Sequence, residues 1–200
     1  MSALAFRIVQ SHTPQNTQQP KTVEERLRDH IEDQEHELRR LRQAALRDPL
    51  TGGANMRCLA IAWDWLENED PVSVLSINID GFHKVNDALG RTCGDALLTA
   101  VQTALERALR WDDVVAREGS DRFVALLPLA IQEDAVAVAE RLRESVEKMC
   151  FEVEQGRFQL TVRIGCASRN GREELNAILG RADSACRQAR RGGGNVVTKS

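Results

Sequence analysis

The side chains in this chain best placed to do chemistry crowd into fourteen residues, Arg110 to Phe123, RWDDVVAREGSDRF. Asp121, able to accept a proton or ligate a cation, stands directly beside Arg122, whose guanidinium stays charged in any ordinary protein setting. Earlier in the stretch, Arg110 and Asp113 stand three residues apart, a planar fork of donors followed by a pair of acceptor oxygens. Val114 and Val115 begin a short apolar run, Gly119-Ser120-Asp121 is turn chemistry, and Phe123 to Leu127 is a second apolar run. Two β-rich runs joined by a short Gly-containing polar stretch predict a β-hairpin. Asp121 and Arg122 then sit at its tip, and Arg110 and Asp113 at its entrance.

The elements that must hold this hairpin can be read from the rest of the chain. Residues 1–21, with Pro14, Pro20 and many Ser, Thr, Gln and Asn, predict a flexible arm, with a short strand over 3–9. From Thr22 to about Arg47 the chain is charged and free of Gly and Pro, and Thr22 with Glu25 fits a capping box. Ile31, Leu38 and Ala45 fall at heptad position a, with Leu27 and Leu41 at d, and Glu24 and Gln34 interrupt the seam. Two readings stand: a stalk helix that pairs with its twin, or a solvated helix folded back on its own domain. Asp48-Pro49 ends the helix. Further helices are expected over 55–67, 82–89, 95–111, 130–149 and 173–191, with Trp63 and Trp65 as packing residues. Strands are expected over 72–80, on both sides of the hairpin turn, and at 196–197, with a second hairpin over 151–167. Alternating helices and strands with two hairpins predict an α+β fold, ferredoxin-like, with a central sheet of about five strands, partly antiparallel, faced by helices.

The bulk composition excludes several classes. A net charge of −3 argues against a nucleic-acid binder that works by massed positive charge. Cys58, Cys93, Cys150, Cys166 and Cys186 include no CxxC pair, so no zinc or redox motif is suggested, and they read as reduced thiols. No apolar run is long enough to span a bilayer, and the N-terminus has neither a basic n-region nor a cleavage site, so a cytoplasmic location is expected.

Asp48-Pro-Leu-Thr-Gly52, Asp80 with Phe82, Asn86-Asp87, Gly90, Gly94-Asp95, and Arg117 with Gly119, Asp121 and Phe123 follow in order, continued by Ile164-Gly165, Ala182-Asp183, Ala189 and Asn195. In this pattern the chain resembles the GGDEF domain family over about residues 47–197. The resemblance implies a nucleotidyl-cyclase-like fold over 48–200, preceded by the 22–47 stalk. It also implies kinship with diguanylate cyclases, which condense two GTP into cyclic di-GMP across a dimer, with two Mg²⁺ ions at the interface.

That chemistry needs carboxylates around the metals. At the family's first acidic position this chain has Asn78, and its signature reads Gly119-Ser120-Asp121-Arg122-Phe123, with Arg122 where the family has Glu. Asp121 remains as a candidate metal ligand. Ser120 replaces a glycine where phosphate comes close. The family's three acids carry about −3; Asn78, Asp121 and Arg122 together carry about zero. Because two unit charges near 4 Å interact by roughly 4 kcal/mol at an effective dielectric of about 20, two-metal binding should weaken by orders of magnitude. The family's lysine aligns with His83 and a C-terminal arginine with Gly194, while Arg190 keeps the other C-terminal cation. No cofactor is therefore expected, and Mg²⁺ only if cyclase activity survives. Asn86 and Asp95 match the guanine-recognition pair, with Arg190 as a phosphate contact; Asp95 reads equally as a helix cap.

Arg110-Trp111-Asp112-Asp113 falls at the register of the family's R-x-x-D motif, six residues from Asp113 to Gly119, and Arg141 aligns with a second arginine of that site. The resemblance implies binding of cyclic di-GMP there. Guanidinium donors can meet guanine or phosphate, and a carboxylate can accept from guanine N1 and N2. The plainer reading is an arginine at a helix C-terminus followed by turn-forming aspartates. Three functions follow. One is an inactive GGDEF domain that receives cyclic di-GMP through Arg110, Asp113 and Arg141 and signals to a downstream protein, as a homodimer through the 22–47 helix. A second is an active or weakly active cyclase that uses GTP. The third is a ligand-free dimerisation or scaffold module. None involves nucleic acid or a membrane.

Overall fold

Thr22 opens the first helix of the computed structural model, which describes residues 22–66, 70–153, 156–169, 171–191 and 193–200. The arm expected over 1–21 and its strand at 3–9 lie outside the described residues. The chain divides into two compact units, residues 1–40 and 41–200. The helix α1 (Val23–Ala45) starts with the capping box its sequence encodes. Thr22 N–H donates to Glu25 Oε2 at 2.7 Å, and Glu25 N–H donates to Thr22 Oγ1 at 3.2 Å. No residue of α1 is buried, and Val23, Leu27, Ile31 and Leu38 are 73, 57, 54 and 47% exposed. These apolar side chains recur along one helix and are open to water.

In chain order the elements after α1 are β1 (Ala54–Asn55), α2 (Met56–Trp65), β2 (Val72–Ile79), α3 (Phe82–Leu89), α4 (Arg91–Ala108), β3 (Val114–Gly119) and β4 (Arg122–Pro128). They continue with α5 (Gln132–Glu147), β5 (Cys150–Val153), β6 (Gly156–Gln159), β7 (Val162–Ser168), α6 (Leu175–Arg191) and β8 (Val197–Lys199). The main sheet has six strands in the order β1-β3-β4-β2-β7-β8, and β5 pairs β6 apart from it. β2 is antiparallel to both β4 and β7 and is buried along its whole length. Because side chains alternate across a strand, β2 sorts the core into two layers. Leu75, Ile77 and Ile79 pack with Leu97, Val101, Leu105 and Leu142 of α4 and α5. Val72 and Val74 pack with Leu59 and Trp63 of α2 and with Ile178 and Ala182 of α6. Ser76 and Asn78 continue this second face toward the middle of α6, where Ser76 meets Asp183 and the hydrophobic pattern gives way to polar groups. The α+β fold, a largely antiparallel central sheet faced by helices, is as expected.

The differences are local. Ala54 and Asn55 form a sixth strand where the helix was expected to open at Asn55, and Asn55 then caps α2, its Oδ1 accepting from Cys58 N–H at 3.0 Å. The run over 158–167 is two strands, since β6 ends at Gln159 and Thr161 turns to meet Asp80. α4 begins at Arg91 behind Gly90 and ends at Ala108, four residues earlier at its start and three at its end than the pattern suggested. Trp63 is buried, but Trp65 is 82% exposed, so it does not pack into the core. It lies on the helix face away from Leu59 and Trp63, a placement that helical periodicity already contains.

Candidate functional site

The hairpin turns through Ser120 and Asp121, with a register shift between Arg117 and Gly119. Ser120 adopts φ +47°, in the left-handed region, where a side chain costs roughly 1–2 kcal/mol relative to glycine. Arg117 holds the turn: its Nη2 and Nε donate to Ser120 O at 2.9 and 3.3 Å, and its Nη1 lies 3.2 Å from both Asp48 oxygens. Burial pushes the Asp48 carboxyl up, but the Thr51 N–H, the Thr51 hydroxyl and Arg117 outweigh it and hold the pKa below the usual carboxylate range.

At the tip Arg122 turns onto α6. Its Nη2 lies 2.6 Å from both oxygens of Asp183 and 2.8 Å from Glu118 Oε2. Ser76 Oγ donates to Asp183 Oδ1 at 2.6 Å, and Arg187 Nη1 lies 3.7 Å from Asp183 Oδ2. Ser76, Arg122, Asp183 and Arg187 border a cavity of about 180 Å³ with Asn78, whose buried Oδ1 has no hydrogen-bond partner among the described residues. Asp121 stands apart. Its backbone carbonyl accepts from Ile79 N–H at 3.1 Å, but its carboxylate does not line this cavity and has no partner among the described residues.

The magnesium ions implied by the family can be tested against this donor set. Asn78 Oδ1 could face a cation but brings no charge. Arg122 is already present, and a divalent ion about 4 Å from a guanidinium meets a repulsion of roughly 8 kcal/mol at an effective dielectric near 20. Among the described residues no group of three or more His, Cys, Asp or Glu is placed to hold a metal. These residues do not fit a two-magnesium site.

The nearby anion-binding positions are also altered. His83 is exposed. Gly194, at φ +80°, lies so close to Asp80 that a Cβ would fall 2.6 Å from its carboxylate. Asp80 is fixed there by Arg163 at 2.8 Å, Thr161 Oγ1 at 2.9 Å and Asn195 N–H at 2.8 Å. The residue at 194 is therefore confined to glycine by a neighbour, and an arginine would displace that network. Arg190 lies on α6, and its side chain is outside the described residues. Asn86 on α3 keeps a buried Oδ1 without a partner among the described residues, against Gly94, where a Cβ would sit 1.9 Å away. Asp95 is exposed within the second turn of α4, so it is not the helix cap that its position suggested.

The hairpin entrance is built differently. Just past α4, Arg110 N–H donates to Asp113 Oδ2 at 2.9 Å and Asp113 N–H donates to Arg110 O at 3.3 Å, closing a tight turn. The turn-forming reading of Asp113 is thus realised, yet it leaves the Arg110 guanidinium exposed and without an ion-pair partner among the described residues. Arg141, on α5, donates Nε to Ala108 O at 2.8 Å, which sets its charge against the C-terminal end of α4. Asp113 has its pKa raised chiefly by burial, opposed by Arg110 N–H, pushed further up by Asp112, and drawn down by Arg110 and Arg141. Arg110 and Arg141 therefore both act on the Asp113 carboxyl. Beside them opens a cleft of about 370 Å³ lined by Leu46, Arg47, Cys58, Glu106, Arg110 and Asp113, within the usual range for small-ligand sites, roughly 300–1,000 Å³. On the other side Arg110 and Asp113 share a crevice with Asp134 and Leu129.

Sequence reasoning missed Asp134 here and Asp183 and Glu118 at the tip. Asp183 was visible only as a position in a pattern, and nothing local ties it to Arg122, sixty-one residues away.

Comparison with known proteins agrees with the fold. The family described as "Diguanylate cyclase, GGDEF domain" matches residues 45–196. The response regulator PleD of Caulobacter vibrioides is 36% identical over 163 residues, 78% of this chain and 36% of PleD, so the chain spans about a third of that relative. The coiled coil and GGDEF domain of DgcB from Caulobacter crescentus, solved in complex with c-di-GMP, superposes with a TM-score of 0.80 at 26% identity, covering 90% of this chain and 100% of that one. Diguanylate cyclase SiaD from Pseudomonas aeruginosa, in complex with its activator SiaC, superposes with a TM-score of 0.76 at 30% identity, covering 88% and 70%.

Proposed function

Because this chain belongs to the GGDEF domain family, we propose that its domain is a catalytically silent member that binds cyclic di-GMP through Arg110, Asp113 and Arg141 and passes that state to a protein partner. The observation that carries the proposal is a contrast in satisfaction. The charged groups around Asn78 neutralise one another, whereas Arg110 presents a free guanidinium beside a half-buried carboxyl at a cleft. Guanine offers Hoogsteen acceptors to Arg110 and N1 and N2 donors to Asp113, and the two phosphates of the ligand suit Arg110 and Arg141. Forking hydrogen bonds made by charged groups are among the stronger polar contacts.

Calorimetric titration with cyclic di-GMP tests the proposal. Saturable binding that disappears in Arg110→Ala supports it; an isotherm unaffected by that substitution contradicts it. Incubation of the protein with GTP and Mg²⁺ or Mn²⁺ should give no cyclic di-GMP.

A second reading, retained GTP binding or weak cyclase activity, is favoured by the unpartnered Oδ1 of Asn86 and the unpaired carboxylate of Asp121. It predicts product in that same assay and a higher rate in the Asn78→Asp, Arg122→Glu double variant. We further propose that the exposed stripe of α1 pairs with a second copy, which Leu27→Lys with Ile31→Lys would reduce to monomer in sedimentation analysis. A scaffold acting without ligand would keep its output when Arg110 and Asp113 are both Ala.

A further inference from the structure

We propose that Arg122 is a built-in cation that ties the hairpin tip to α6 and makes the contact between them independent of divalent metals. The proposal concerns the cleft around Asn78 and holds whether or not the entrance binds a nucleotide.

The argument begins with what lies under the arginine. Asp183 and Glu118 are two carboxylates from different elements, α6 and β3, drawn to one guanidinium nitrogen at 2.6 and 2.8 Å. Without a cation between them they would repel, and the end of β3 and the middle of α6 would be pushed apart. Asp183 is no loose surface group: Ser76, buried at the centre of the sheet, donates to its Oδ1 at 2.6 Å. That hydrogen bond fixes the carboxylate where Arg122 reaches it. Arg122 itself leaves the strand directly opposite Asn78, so the register of β2 against β4 sets the guanidinium over the cavity mouth.

The charges then close. Arg122 and Arg187 balance Asp183 and Glu118, while Arg163 is taken by Asp80. Nothing anionic is left over in this group to draw a metal ion, and the neutral Asn78 Oδ1 faces a cluster already complete. A positive charge thus bridges carboxylates across the cleft permanently, carried by the chain rather than exchanged with solvent. A side chain does this with one fixed geometry, so the tip and α6 have one relative placement instead of a metal-bound and a metal-free one.

Thermal unfolding of the full chain, in EDTA and in millimolar MgCl₂ or MnCl₂, tests this. The wild type should show the same Tm in all three. Arg122→Gln and Asp183→Asn should each lower Tm by roughly 2–5 °C, and the double variant should fall little further, because each substitution removes the same pair. Arg122→Glu should fall further than Arg122→Gln in EDTA and recover on addition of either metal, since three carboxylates then converge. Additive losses in the double variant, a wild-type Tm that rises with metal, or an Arg122→Glu protein indifferent to metal would each overturn the proposal. If Arg122→Glu does not fold, the Gln and Asn cycle decides alone.

Discussion

At the tip of the β3–β4 hairpin Arg122 is met by two carboxylates and Asp183 by a guanidinium and a buried hydroxyl; at the entrance Arg110 keeps its guanidinium in solvent while Asp113 carries a half-buried carboxyl against the resistance of burial. The same strand pair supports both ends, so the backbone does not make the difference. It comes from which charges have been given internal partners. A cluster that neutralises itself stabilises a contact and attracts little else. A charged pair left incomplete costs some stability and keeps donors and acceptors available for a ligand. By this criterion the proposed ligand-binding end is the entrance, and the tip is the self-neutralised one.

The contrast breaks first at Arg110. Arg110→Ala should weaken cyclic di-GMP binding by roughly 100-fold, about 2.8 kcal/mol, in calorimetry, with the melting temperature of the free protein unchanged. Equal affinity in that variant would move the site elsewhere. Next in size is the confinement of the tip side: Gly194→Ala should cost about 2–3 kcal/mol, a Tm fall of roughly 5–10 °C, because φ is positive there and Asp80 has no room to yield. A harmless substitution would mean that Asp80 is free to move and the family's arginine could be restored.

Asp113→Asn sharpens the comparison from the other side. Asn can still accept from Arg110 N–H, so the turn survives, while the charge that guanine N1 and N2 would meet is gone. Affinity should drop about tenfold or more, and stability at neutral pH should hold or rise. The pH dependence follows from the raised pKa of Asp113. Between the ordinary aspartate value and this raised one the folded state binds more protons than the unfolded state, so stability falls as pH rises through that window. Ligand affinity should run the opposite way, weakening as pH falls through the Asp113 pKa, because the carboxylate is the accepting form. Denaturant titrations of wild type and Asp113→Asn across that window, with calorimetry at its two ends, check both signs. The smallest effect belongs to Ser120→Gly, which should relieve left-handed strain and stabilise by about 1 kcal/mol, roughly 2–4 °C in Tm, without changing ligand binding.

Much of this was legible in the amino-acid order. Alternating apolar runs placed β2, β3 and β4, and turn chemistry placed the tip at Ser120-Asp121. Thr22 and Glu25 gave the start of α1, which the reciprocal hydrogen bonds realise. The apolar spacing of α4 is clear only from Asp95 onward, although the helix begins at Arg91, because Arg91-Thr-Cys-Gly carries few strong apolar positions. β1 is two residues long and is defined by its pairing with β3 and a bridge from Ala54 to Arg47, so its own two residues carry no strand pattern. The same limit governs the site. The loss of metal charge at Asn78 and Arg122 could be counted from residue types, but the counter-ions that complete the cluster come from α6 and the far end of β3. Only the folded register of β2 against β4 and α6 brings Asp183 beneath Arg122. Asp134 likewise shares a crevice with Arg110 and Asp113 only because α5 follows the hairpin back past its entrance.

The most direct test is one calorimetric titration of cyclic di-GMP into the wild-type protein in EDTA. An entrance that works without metal should give saturable binding at micromolar ligand. No heat of binding there, with binding appearing only once magnesium is supplied, would contradict the assignment of the two ends.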